Sequence, residues 1–186
     1  MSGTTGRVGA GAALAGGLAA LAGSALLPFH AGGGLGEWIA ALFFVAGLAL
    51  ALASVELASR APRTPGERVG LRSWVALGAA GFVIGGAGLI GDVVERPIVA
   101  AEIAGVAAVA AWWVTVGRAL RAGSAARFGA FTLVLAALAL GALALQLAWS
   151  APAGAVPARF AYALWGPWGV GLGIALIRHR TPFHAR

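Results

Sequence analysis

Six apolar runs, each near the ~20 residues that a helix needs to cross a bilayer, fill almost the whole chain. They are roughly 8–28, 37–58, 74–95, 98–117, 128–150 and 158–177. The links between them are short and polar. The longest, from Ser59 to Ser73, is about 15 residues, so no second domain fits. The expected fold is all-α: a polytopic integral membrane protein, a six-transmembrane-helix bundle, with residues 1–186 forming a single transmembrane domain.

The arginines orient this plan. Eleven of the 13 lie on one side of the runs: Arg7; Arg60, Arg63, Arg68 and Arg72; Arg118, Arg121 and Arg127; Arg178, Arg180 and Arg186. Only Arg96 and Arg159 lie on the other. Positive residues stay on the cytoplasmic side, so both termini are expected there.

Composition agrees. The chain is 60% hydrophobic and 10% charged, with mean hydropathy +0.90, whereas soluble domains carry about 25% charged residues. The net charge of +7 does not imply nucleic acid, because the arginines sit at helix ends without an aromatic-interleaved groove. Anionic lipid at the cytoplasmic face accounts for it, with Arg60, Arg63, Arg68 and Arg72 as the main lipid or partner contact. The chain has no cysteine and no lysine. Thiolate metal sites, disulfides and Schiff-base chemistry are therefore excluded. Abundant Ala, Gly and Arg without Lys suggests the inner membrane of a GC-rich bacterium. Arg7 and the small residues around Ala22–Ala25 allow a cleaved signal peptide, but the run is long for one and is expected to stay as a helix.

Lipid gives helices no hydrophobic drive to associate, so small residues that permit close approach take its place. In the third run Gly78, Gly81, Gly85 and Gly88 share one face by 3, 4, 3 spacing, and the stripe continues to Asp92 and Glu95. Gly9, Gly16 and Gly23 form a looser stripe in the first run, and Ala40, Gly47 and Ser54 repeat its seven-residue spacing in the second. Such spacing predicts left-handed packing. The tryptophans follow an interfacial belt, with Trp38 and Trp149 near the outer surface and Trp74, Trp112 and Trp113 near the inner one. Trp165 and Trp168 lie well inside the sixth run.

Six acidic residues are present, and four fall in the outer half. Glu67 is in a cytoplasmic link, and Glu56 is within i,i+4 reach of Arg60. Glu37 opens the second helix, where a carboxylate suits the positive helix end. Glu102 lies about 6–7 Å along the fourth helix. Acids at such depth usually face the bundle and serve a purpose. Asp92 comes from the preceding helix across a very short link, and Arg96 can neutralise either acid. An ion pair that only pins the two helices together is the competing reading.

In the sixth run Trp165, Gly166, Pro167, Trp168 and Gly169 interrupt the apolar sequence. A proline there removes a backbone donor and clashes with the preceding turn, which predicts a kinked sixth helix with its break at Gly166 and Pro167. Breaks of this kind line cavities in transporters, although a packing kink gives the same pattern. Tyr162 and Trp165 are one turn apart on this helix. Gln146 in the fifth is placed to turn toward the bundle.

Asp92, Glu95, Glu102, Gln146, Tyr162 and Trp165 share the outer half and are the candidate ligand-binding or proton-coupling residues. His30, His179 and His184 lie in a link and the tail, so no haem pair, metal set or cofactor is expected. No hydrolase elbow or phosphate loop occurs, and no catalytic residue is assigned. The expected function is transport or ligand binding, for a small cationic, zwitterionic or amphipathic ligand. The alternative is a non-catalytic accessory subunit of a larger membrane complex, with other membrane subunits or further copies of the chain as partners.

Overall fold

A computed structural model of the protein describes residues 2–26, 29, 35–60, 76, 96–149 and 156–178. These residues are all-helical, in five helices: α1 (Ser2–Leu26), α2 (Leu35–Arg60), α3 (Arg96–Arg121), α4 (Ala126–Trp149) and α5 (Val156–Arg178). They correspond to five of the six apolar runs. The remaining run, 74–95, lies outside the described residues except for Ala76, and with it lie Gly78, Gly81, Gly85, Gly88, Asp92 and Glu95.

Three helices are long and apolar enough to cross a membrane, through Val8–Leu26, Ile103–Arg121 and Ala126–Leu145. A shorter apolar stretch, Ala41–Leu57, runs inside α2. The exposed faces are apolar too. Phe44, Val45, Leu48, Leu52 and Val55 form one exposed strip on α2, and Phe131, Val134 and Leu138 form another on α4. A helix on a soluble surface would carry polar residues there. Faces that are apolar both inside and outside suit lipid, and a membrane location follows from them.

α1 packs most extensively against α5 and α2, α3 packs against α4, and α4 packs against α5. The seven-residue stripe of α1 is the α2 contact: Gly9 faces Glu56, Gly16 faces Leu50 and Ala49, and Gly23 faces Phe43. Each step along α1 is matched by a step back along α2, so the pair is antiparallel and keeps one register. Gly47 and Ser54 of the matching α2 stripe are buried.

The α1–α5 seam is tighter. A Cβ built on Gly17 would fall 2.5 Å from the amide nitrogen of Val170 and 2.9 Å from the carbonyl oxygen of Gly166. One built on Gly169 would fall 2.7 Å from Gly17 Cα. Backbone touches backbone here, which only glycine permits. Gly166 and Gly173 extend the seam against Leu21 and Leu14. The interruption expected at Gly166 and Pro167 is no break in the helix. The chain stays helical through Pro167, and its glycines form the α1 contact.

α3 and α4 form a hairpin closed by the turn 122–125. The Ala122 amide donates to the Arg118 carbonyl at 3.2 Å and the Gly123 amide to the Leu120 carbonyl at 3.0 Å. A Cβ on Gly117 would come 3.2 Å from the Gly129 carbonyl oxygen, and one on Gly129 would run into the Arg121 backbone. Thr115 and Thr132 spend their hydroxyls on the carbonyls of Ala111 and Phe128 one turn back, each at 2.9 Å. That leaves these turns without an unpaired hydroxyl.

The helix directions gather the arginines. α1 is antiparallel to both α2 and α5, and α4 is antiparallel to α3. The Arg7 end of α1, the Arg60 end of α2 and the Arg178 end of α5 therefore come together, and the Arg121 end of α3 and the Arg127 start of α4 meet at the closed end of their hairpin. Arg96 begins α3, away from Arg121, and Arg159 lies in the first turn of α5, away from Arg178.

Candidate ligand-binding site

The centre of the α3–α4–α5 interface is aromatic. Trp112 and Trp113 on α3 meet Trp165 and Trp168 on α5, with Phe128 of α4 against Trp168. Trp112 and Trp168 stand edge to face, with centroids 5.1 Å apart and planes at 77°. Trp113 lies 6.0 Å from Trp165 and 5.8 Å from Trp168. Gly171 leaves the space that the Phe128 ring fills. Aromatic pairs in such geometries contribute about 0.5–1.5 kcal/mol each beyond the area they bury.

The sequence placed Trp112 and Trp113 in the inner interfacial belt. Instead they are buried, 2% and 0% exposed, while Trp38 is 71% exposed as a belt residue should be. Two neighbouring tryptophans can both be buried because α3 is covered on two sides, by α4 and by α5. Trp165 is buried in the same cluster. The indole N–H groups of Trp112, Trp113 and Trp168 are buried without a hydrogen-bond partner. An unmet buried donor costs about 1–3 kcal/mol. The edge-to-face packing offsets part of this, since a π face is a weak acceptor.

Three of the candidate polar residues can be compared with the buried stripes by helical spacing. On α3 the buried stripe Gly105, Val109, Trp112, Val116 and Leu120 continues backward by three residues to Glu102. On α4 the stripe Thr132, Leu135, Ala139 and Ala142 continues forward by four to Gln146. On α5 the stripe Trp165, Trp168, Leu172 and Ala175 continues backward by three to Tyr162. Glu102, Gln146 and Tyr162 thus continue these stripes by sequence spacing, and their side chains lie outside the described residues.

Their levels can be compared at 1.5 Å per residue. From the Gly117–Gly129 contact, Glu102 lies about 23 Å along α3 and Gln146 about 26 Å along α4, nearly the same height. From the Trp113–Trp165 contact, Tyr162 is about 5 Å and Glu102 about 17 Å further on. A site built from these three would therefore extend about 12 Å, with the aromatic cluster below it. No group of three or more His, Cys, Asp or Glu side chains able to hold a metal occurs among the described residues. Of the basic link, Arg60 ends α2, and Arg63, Arg68 and Arg72 lie outside the described residues.

Compared with known protein families, with curated proteins and with solved structures, the chain matches none. The functional argument therefore rests on the register and chemistry of these residues.

Proposed function

We propose that the chain is a small multi-pass membrane protein of transport or ligand-binding type. In this reading it crosses the membrane six times, with both termini on the cytoplasmic side of a bacterial inner membrane. The arginines at the matching ends of α1, α2 and α5 and at the closed end of the α3–α4 hairpin support that orientation. Its ligand is small and cationic, zwitterionic or amphipathic, and binds at the end opposite the arginines.

The observation that carries the reading is the register of Glu102, Gln146 and Tyr162. By that spacing three neighbouring helices would each present a polar residue in line with a buried stripe, where helix packing alone would need only small or apolar residues. Glu102 supplies the charge, Gln146 a hydrogen bond and Tyr162 an aromatic wall, and Asp92 and Glu95, outside the described residues, are expected to add charge. A carboxylate that meets a cation makes a hydrogen bond worth about 1.5–3 kcal/mol. Glu102→Gln and Asp92→Asn should therefore weaken binding about tenfold or more. Native mass spectrometry of protein extracted gently from its own membrane should show a small-molecule adduct that these variants lose. Variants that bind or take up the ligand as the parent does would refute the proposal.

One observation favours the accessory-subunit alternative. The described interior is close-packed and apolar, with only Ser54 and Thr132 as buried polar residues in it. On that reading the same spectra would show a stoichiometric protein partner and no adduct.

A further inference from the structure

We propose a second site, independent of the first, at the opposite end of α3: a cleft for the phosphate headgroup and one acyl chain of an anionic phospholipid. An open cleft of about 590 Å³ lies beside the α3–α4 hairpin, lined by Val114, Arg118, Arg121, Ala122 and Leu133. Val114, Arg118 and Arg121 are spaced 4 and 3 and share one face of α3. The lining therefore descends about 10 Å from Arg121 to Val114. Its upper part carries two guanidinium groups, and its lower part is aliphatic.

Both arginines are exposed, and neither has a carboxylate partner among the described residues. α4 has no acidic residue in its first turn to supply one. Ile103–Arg121 is one of the stretches long and apolar enough to cross a membrane, so Arg118 and Arg121 come where the chain leaves the hydrocarbon. An arginine pair at that level meets phosphate, and the Val114–Leu133 wall beneath meets an acyl chain. A free phosphate would use the guanidiniums and gain nothing from that wall.

The cleft is held in shape by the hairpin. Leu133 is pressed against Gly117, where a Cβ would lie 3.0 Å from Leu133 Cγ. Gly129 lets α4 touch the Arg121 backbone. The lipid therefore finds its two walls already at a fixed spacing.

The test measures retention of phosphatidylglycerol, against phosphatidylcholine and inorganic phosphate, by the full-length protein in detergent. The variants are R118Q/R121Q and, as an exposed basic control outside the cleft, R127Q. The parent and R127Q should retain phosphatidylglycerol over phosphatidylcholine. R118Q/R121Q should lose that preference by roughly thirtyfold with unchanged thermal stability, and R118K/R121K should recover part of it. Inorganic phosphate at millimolar concentration should not displace the lipid. Three results would overturn the proposal: equal losses in R127Q and the double variant, which would mean diffuse surface charge; displacement by inorganic phosphate, which would mean a free-anion site; or retained preference in the double variant.

Discussion

Gly17→Ala adds one methyl group where α1 and α5 meet backbone to backbone, and its cost follows from the geometry. The new Cβ would lie 2.5 Å from the Val170 nitrogen, where ordinary contact begins at 3.4 Å, so α1 and α5 must part by about 0.9 Å locally. The clashing atoms are backbone and cannot swing aside. A radial gap of that size forfeits about a quarter to a half of the dispersion energy along the affected contact. In a membrane, dispersion and close packing are the main forces between helices. Overpacking in well-packed cores costs roughly 1–3 kcal/mol, and with backbone on both sides Gly17→Ala should fall near the top, about 3 kcal/mol. Gly11 and Gly141 provide the control, since a Cβ at either meets nothing within 4 Å. Alanine there should be neutral or stabilising by up to about 1 kcal/mol, because it is the better helix former. Unfolding by a denaturing detergent, followed by tryptophan fluorescence, measures all three. Gly169→Ala should be destabilising as well, and the double variant should cost less than the two singles together, because one separation relieves both clashes. If Gly17→Ala unfolds with Gly11→Ala, the two backbones do not meet as described and the argument fails.

Trp168→Ala should cost about 3–5 kcal/mol, the range for losing a fully buried large aromatic, and should collapse the near-ultraviolet circular dichroism of the cluster. A loss below about 1 kcal/mol would contradict its burial. The cysteine-free chain also allows a direct test of topology. Ser124→Cys, in the turn at the arginine end, should react with an impermeant maleimide only from the cytoplasmic side. Phe29→Cys, in the link at the other end of α1, should react only from outside. Labelling of both from one side would refute the orientation.

The helices were largely legible because hydropathy and helical length agree in lipid. Their ends were less so. Run 98–117 is in fact a helix continuing to Arg121, because backbone hydrogen bonding persists into the interface while long arginine side chains reach for water. The Gly9–Gly16–Gly23 stripe was readable since seven-residue spacing keeps one face toward α2. The α1–α5 seam was not: beside Pro167, Gly166 and Gly169 read locally as a helix breaker. Only the partner helix shows that these glycines are places where Gly17 must fit. Trp112 and Trp113 misled for a similar reason. A tryptophan near a helix end suits the interface by default, and burial from two sides is information that a single run does not contain. The candidate acids were legible because rare acids in apolar runs stand out, and Asp92, Glu95 and the side chain of Glu102 lie outside the described residues.

The seams and the aromatic cluster hold the bundle in different ways, and the difference bears on function. At Gly17–Gly169 and Gly117–Gly129 two backbones touch, so neither pair can open without losing its contact entirely. α3 and α5, by contrast, meet mainly through the Trp112, Trp113, Trp165 and Trp168 side chains, and bulky rings keep their backbones apart. Along α3 those rings lie between the Glu102 end and the arginine end. In the proposed reading, a ligand held at Glu102, Gln146 and Tyr162 would meet this aromatic layer next, and passing it would need the rings to rearrange. Binding from one side needs no such change. Transport does, and the side-chain joint between α3 and α5 is where the fold would yield with the least loss of backbone contact. Trp113→Leu would then separate the two activities: it thins the layer without touching Glu102. Uptake that changes while binding at Glu102 holds would mark the rings as the barrier. Unchanged uptake alongside intact binding would show that the path lies elsewhere.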